Sequence, residues 1–215
     1  MIKERIETLY NELTEDINIV AVSKTKSIED IMNAYNSGQR LFGENRVQEL
    51  TDKYSKLPKD IKWNMIGHLQ SNKVKYIAPF VDLIHSLDSL KLAKEIDKQG
   101  ENNNRIINCL IQIKISKDDS KYGVSFNDFN NFYNYINDLN FIKIVGLMGM
   151  ASLTNDEDLI KNEFKLISSL YNKMKLVNKN FKYLSIGMSN DYKLAINEGG
   201  NMIRIGSRIF GERQI

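Results

Sequence analysis

Cysteine is almost missing from this chain: its 215 residues include one, Cys109. That excludes an internal disulfide framework and any zinc site built from several thiolates. Histidine is nearly as scarce. His68 and His85 stand alone, without a clustered third ligand, which argues against a metal centre. No apolar stretch approaches the ~20 residues needed to span a bilayer, so no membrane partner is expected. The opening residues Met1 to Glu7 lack the apolar core of a signal peptide, and the expected address is cytoplasmic. Blocks of like charge are missing too: 30 basic and 27 acidic residues are interspersed to a net charge of +3, which gives no nucleic-acid arm. No linker rich in Pro, Gly or Ser interrupts the chain, so one domain spanning 1–215 is expected.

What is present is an alternation of short apolar runs and amphipathic stretches. Ile2, Ile6, Leu9 and Leu13 fall at helical spacing in an opening helix. The run from Ile17 to Val22 is rich in β-branched residues and too short for a helix. Ser27 can cap the helix that follows, with Glu29 and Asp30 in its first turn and Gly38 at its end. Further strands are expected at Arg40–Gly43, Lys62–Gly67, Val81–His85, Ile106–Ile115, Ile142–Leu147, Tyr183–Ile186 and Met202–Ile205, with helical sequence between them at about 44–56, 71–78, 89–99, 126–138, 156–175 and 190–198. Strands separated by helices imply a parallel sheet. Eight such units in a chain of this length fit a (β/α)8 TIM barrel with an extra N-terminal helix. An open doubly wound sheet is the alternative. It usually places a glycine-rich loop after its first strand, where this chain has Val22-Ser23-Lys24-Thr25-Lys26.

Barrel sites lie at the carboxyl ends of the strands. Those positions deliver Lys24, then Glu44 and Asn45, His68 and Gln70, His85 and Ser86, and Met148-Gly149-Met150. The last two strands deliver Ser185, Gly187, Met188, Ser189 and Asn190, then Arg204, Gly206 and Ser207. A lysine ending an inward-facing apolar strand is costly to desolvate as an ammonium, and burial favours a neutral amine able to form a Schiff base. By position alone, a lysine that extends its head group to water is the blander account. Ser189 before a helix and Gly206-Ser207 one strand later suit a phosphate, through exposed backbone N–H groups and hydroxyls. Taken singly, each is a helix cap or a turn; in neighbouring loops they favour an anion. Cys109, within an apolar run, reads as a small core residue, and Trp63 as a packing residue. His68 and His85 read as satisfied polar residues at the barrel rim.

In order along the chain, several segments resemble one family. They are Ala21-Val22-Ser23-Lys24-Thr25; Phe42-Gly43-Glu44-Asn45 with Val47-Gln48-Glu49; Trp63 leading to Ile66-Gly67-His68-Leu69-Gln70-Ser71-Asn72-Lys73; and His85-Ser86-Leu87-Asp88. Ser120-Lys121-Tyr122-Gly123, Gly146-Leu147-Met148, Leu184 to Ser189 and Ile203 to Ser207 continue the set. Together they are similar to the pyridoxal phosphate homeostasis proteins. Ile186, where a methionine is common in that family, is a volume-similar departure. The resemblance implies a fold-type III barrel like that of the alanine racemases, with pyridoxal 5′-phosphate held as a Schiff base on Lys24. It further implies that Ser189, Gly206 and Ser207 bind the phosphate, with Gly187 and Met188 shaping the adjoining loop and Ser185 also among the cofactor-binding residues. Arg204 would face the pyridine nitrogen, and Asn45 and Met148 would flank the ring.

The resemblance also implies intracellular vitamin B6 homeostasis without turnover, with PLP-dependent apoenzymes as acceptors. Catalytic relatives carry a second, mainly β domain that completes their sites in a dimer. Here the chain ends at Ile215 directly after the eighth unit, so that domain and its interface are expected to be absent and the protein monomeric. Racemisation needs a second acid/base group on the opposite substrate face, and no obvious one is present. The enzyme alternative is a small racemase or decarboxylase using His68 or His85. A phosphosugar barrel without the Schiff base, or an interaction module indifferent to Lys24, are further alternatives.

Overall fold

The β-branched runs become strands and the amphipathic stretches become helices in the computed structural model of the chain, which describes residues 1–116 and 122–212. The order is α1 (Ile2–Asn11), β1 (Asn18–Val22), α2 (Ile28–Asn36), β2 (Leu41–Glu44), α3 (Val47–Lys56), β3 (Lys62–Met65), a 3-10 turn (Ser71–Lys73) continuing into α4 (Val74–Ile77), β4 (Leu83–Leu87) and α5 (Leu90–Asn102). Then follow β5 (Ile107–Ile113), α6 (Phe129–Asn137), β6 (Ile142–Gly149), α7 (Glu157–Val177), β7 (Tyr183–Met188), α8 (Tyr192–Asn197), β8 (Met202–Ile205) and α9 (Ser207–Phe210). Each strand pairs in parallel with the next, and β8 returns to β1 through Asn18↔Met202 to Ala21↔Ile205. The sheet is therefore a closed eight-stranded barrel, and the open doubly wound alternative is excluded.

Alternation along each strand sorts side chains into two layers. Val20, Leu83, Leu110, Met148 and Met202 fill the barrel interior. Ile19, Ala21, Phe42, Trp63, Ile84 and Ile203 pack outward against the helices. Trp63 and Cys109 are both fully buried in this outer layer, as core residues, and burial raises the Cys109 thiol pKa far above its usual value. On the same parity, Ser23 turns outward and Lys24 inward.

Local chemistry explains the element boundaries. Ser27 Oγ accepts from Asp30 N at 3.0 Å, which caps α2, and Gly38 closes the helix with φ of 95°. Helix α3 starts at Val47 because Asn45 and Arg46 form the loop after β2. Strands β6 and β7 run two residues beyond their expected ends, to Gly149 and Met188. Helix α9 has four residues, too few for periodicity to reveal. The ladder between β5 and β6 shifts register where Cys109 faces Ile144 and Leu110 faces Gly146, a bulge at Val145 that Gly146 permits with φ of 154°.

Candidate functional site

At the carboxyl end of the barrel a cleft of about 820 Å³ opens between the segments after β1, β2, β3, β6, β7 and β8. Lys24 reaches it half-buried from the end of β1. Val22, Ile66 and Met150 give apolar walls, and Asn45, Ser189, Arg204, Gly206 and Ser207 give polar ones. The loops after β7 and β8 are tied together: Gly206 N donates to Ser189 Oγ at 3.2 Å, and Arg208 Nε donates to the Ser189 carbonyl at 3.2 Å. The first N–H groups of α9 have no partner within the helix. The cleft thus gathers the Lys24 amine, the Ser189 and Ser207 hydroxyls, helix-initial amides and the Arg204 guanidinium against apolar walls, with Lys26 also on its lining. This donor set fits a flat ring bearing an anionic group.

The candidates divide between the wall and the layer beneath it. Lys24, Asn45, Met188, Ser189, Arg204, Gly206 and Ser207 all line the cleft. Met148 is fully buried in the barrel interior, and Met150 is the β6-side methionine on the wall. Ser185 is also fully buried, below the mouth. Gly187 takes φ of 89° and lets β7 approach α8, where a Cβ would lie 2.6 Å from Ala195 Cβ. Gly67 does the same for the loop carrying His68, which passes so close to Asn45 that a Cβ would meet the Asn45 carbonyl oxygen.

Asn190 also lines the cleft, but several other strand-end residues are not at the mouth. Glu44 turns outward beneath α3, where its Oε1 accepts from Ser23 Oγ at 2.6 Å and from Lys53 Nζ at 2.7 Å. Gln70 lies in a separate rim groove with His68. His68 is a rim residue, bonded to Asp88 Oδ2 at 3.2 Å and stacked on Tyr122. His85 is not at the rim; it is fully buried inside the barrel. Of the segment Ser120 to Gly123, Ser120 and Lys121 lie outside the described residues.

A hydrogen-bonded chain crosses the barrel interior just under the cleft. Arg204 Nη1 donates to Ser185 Oγ at 2.6 Å and to the Ser185 carbonyl at 2.7 Å, and Nη2 to the Gly149 carbonyl at 3.0 Å. Ser185 Oγ lies 3.1 Å from His85 Nδ1, and His85 Nε2 lies 2.9 Å from Asn64 Oδ1. Both directions follow from the ends. Asn64 Nδ2 donates to the carbonyls of Lys62 and Phe42, which leaves Oδ1 as the acceptor for a proton on His85 Nε2. A neutral His85 then accepts at Nδ1 from the Ser185 hydroxyl, which itself accepts from Arg204. Burial, then the Arg204 charge, hold the His85 pKa well below its usual value. Burial lowers that of Arg204 to about 10, partly offset by Asp191, so the guanidinium stays charged at neutral pH.

Nothing in the sequence pattern marks Asn64 or Lys53 as functional on its own. A polar residue inside a β-rich run was the available signal for the first, and the Glu49–Lys53 helical spacing for the second.

The His85 environment has a measurable consequence. Below the ordinary histidine value of 6.5, the unfolded chain binds a proton that the folded one refuses. Stability therefore falls as pH drops through that value, by up to ~1.4 kcal/mol per pH unit for one proton. Urea unfolding of His85→Gln beside wild type should show a lower midpoint at neutral pH and a flatter decline below about pH 6.5. Identical slopes in the two proteins would rule out His85 as the source.

Comparison with known proteins adds relatives. The family model described as alanine racemase, N-terminal domain, matches residues 1–214. A protein of Pasteurella multocida named pyridoxal phosphate homeostasis protein is 38% identical over 202 residues, covering 92% of this chain and 87% of that one. PipY of Synechococcus elongatus, solved without PLP, is 33% identical with a TM-score of 0.93, covering 98% of this chain and all of that one. The same protein solved with PLP bound gives a TM-score of 0.89 at 32% identity, with the same coverage. An alanine racemase of Clostridium difficile, 14% identical with a TM-score of 0.78 over 56% of its own length, shares the fold.

Proposed function

Because this chain belongs to the alanine racemase N-terminal domain family, and within it to the pyridoxal phosphate homeostasis proteins, we propose that it binds pyridoxal 5′-phosphate at the barrel mouth through Lys24 and serves the cell's supply of that cofactor rather than turning over a substrate. The observation that carries this reading is the convergence on one cleft of the Lys24 amine with the joined Ser189 and Gly206-Ser207 loops. When bound, the group supplies an aldehyde able to condense reversibly with a neutral amine.

The residues divide that work. The hydroxyls of Ser189 and Ser207, with the first amides of α9, would hold the phosphate. Gly206 keeps its backbone open to the anion. Asn45 and Met188 would help hold the ring, and the apolar side chains of Val22, Ile66 and Met150 would exclude water from it. Met148 backs that wall from the interior layer, and Gly187 sets the turn of the β7 loop. Arg204, donor-only and held by Ser185, would be the group offered to the ring nitrogen, and an arginine there would not protonate it, so the ring would be a weak electron sink. The interior chain through His85 keeps that guanidinium in place.

Two observations favour a holder over a racemase. His85 has both ring nitrogens engaged inside the barrel, and His68 is paired with Asp88 in a separate groove. Neither histidine lines the cleft. Apoenzymes that need the cofactor are the natural acceptors of a group held by one reversible bond.

The test is the visible absorbance of purified protein mixed with pyridoxal 5′-phosphate, wild type beside Lys24→Ala, before and after borohydride. Wild type should show a visible band and, after reduction, carry the added mass on Lys24; Lys24→Ala should show neither. A wild type that stays colourless and fails to bind the cofactor would overturn the reading. Phosphate-ester binding indifferent to Lys24 would instead make this a phosphosugar barrel.

A further inference from the structure

Lys24 lies between two residues that a single ion cluster grips. On one side, the Ser23 carbonyl accepts from Lys53 Nζ at 2.7 Å and Ser23 Oγ donates to Glu44 Oε1 at 2.6 Å. On the other, Thr25 N donates to Glu49 Oε1 at 2.5 Å. Lys53 closes the cluster, with Nζ 2.7 Å from Glu44 Oε1 and 2.6 Å from Glu49 Oε1. The three ammonium donors are thereby accounted for. The Lys53 and Glu44 side chains are 5% and 0% exposed and that of Glu49 is 24% exposed, so the cluster is withdrawn from water in proportion to its depth.

Such a cluster is a poor choice for stability alone. Two carboxylates and one ammonium must be desolvated, and well-packed apolar residues would serve the fold as well. Glu44 Oε2 is buried with no hydrogen-bond partner among the described residues. What the cluster accompanies is backbone strain at the neighbouring residue. Thr25 has φ of 65°, a conformation in which a β-branched residue is an outlier, and such residues persist only where their surroundings hold them. The atom held is the Thr25 amide, through a charge-assisted bond.

We infer that Glu49, backed by Lys53 and Glu44, is a positioning residue that keeps Thr25 in its left-handed conformation and so aims Lys24 into the cleft. It touches neither cofactor nor substrate. The inference rests on Lys24 being the attachment residue proposed above, and it adds that the amine's reactivity is set from behind the sheet, by helix α3.

The experiment uses the full chain as wild type and as Glu49→Ala, Glu49→Asp and Glu49→Gln. Each is mixed with pyridoxal 5′-phosphate, quenched with borohydride at timed intervals, and the Lys24-attached mass measured. Affinity for pyridoxine 5′-phosphate, which has the ring and phosphate but no aldehyde, and the melting temperature are measured alongside. Alanine removes the acceptor and aspartate withdraws it from Thr25 while keeping its charge. Both should slow attachment by about tenfold or more, the scale on which misplacement of a reacting group acts. Glutamine keeps an oxygen for the Thr25 amide and should remain near wild type. Pyridoxine 5′-phosphate affinity should be unchanged throughout. Attachment at the wild-type rate in both alanine and aspartate variants overturns the inference. So does a loss of analogue binding in step with attachment, since that is what general loosening of the fold produces. A wild type that takes up no label on Lys24 overturns the functional reading, and this inference with it.

Discussion

Gly146→Ala should be among the most damaging single substitutions in this chain, lowering stability by more than about 4 kcal/mol or preventing soluble expression. A Cβ at that position would lie 1.8 Å from the Tyr183 carbonyl oxygen and 2.7 Å from its carbon. These are main-chain atoms at the start of β7, so no rotamer change relieves the contact. The φ of 154° adds strain for any L side chain, of the order of 1–3 kcal/mol. Overpacking of an ordered interior costs about as much again or more. Against a total stability of roughly 5–15 kcal/mol, that is a large share. Gly206→Ala is the matched control, because a Cβ there meets Val22 at an ordinary 3.6 Å. Urea midpoints should separate the two variants widely; equal midpoints would mean that the β6 bulge yields easily.

Lys53→Met should destabilise the protein by about 3–5 kcal/mol at neutral pH, because it leaves the buried Glu44 carboxylate without its countercharge. The loss should shrink in acid. Burial raises the Glu44 pKa above its ordinary 4.5, while the bonds from Lys53 and Ser23 pull it back. Without Lys53 the folded-state value rises further. Between 4.5 and that raised value, the folded chain holds a proton that the unfolded chain has released, so stability falls as pH rises through the window. Urea unfolding of wild type and variant across about pH 5 to 8 should therefore show their difference widening with pH, by up to ~1.4 kcal/mol per unit. Adding Glu44→Gln should recover most of the loss, since it removes the charge that Lys53 balanced. A loss that is the same at every pH would assign it to packing of the lysine stem.

The barrel was legible in the sequence because each unit repeats the same contrast, a β-branched run followed by helical spacing, and Met202–Ile205 was placed to the residue. The cleft was legible where strand parity and loop position agree, as at Lys24, Ser189 and Ser207. Parity alone does not give height along the barrel. Met148 and Met150 are two residues apart and face the same way, yet the first is buried in the interior and the second is on the wall. A four-residue strand such as β2 also hides which parity faces inward, so the sequence suggests Glu44 as a mouth residue although it turns outward beneath α3. The bond between His85 and Ser185 joins positions 100 residues apart, so no local spacing announces it.

Closure of the barrel by β1 and β8 also bears on how the chain acquires its binding site. Asn18 and Asn201, which are hydrogen-bonded beside that seam, are separated by 183 residues. Lys24 follows one side of the seam and Gly206-Ser207 the other, so amine and cradle meet only when the longest-range pairing in the sheet has formed. Contacts of such separation are formed late and against a large loop-closure entropy. During synthesis the cleft therefore cannot exist until the eighth strand has left the ribosome and docked. A ligand held jointly by both sides recognises only the closed ring, and its binding free energy adds to closure by mass action. With the binding site proposed above, cofactor binding and resistance to opening at that seam are coupled, and the loaded protein should unfold at a higher temperature than the unloaded one.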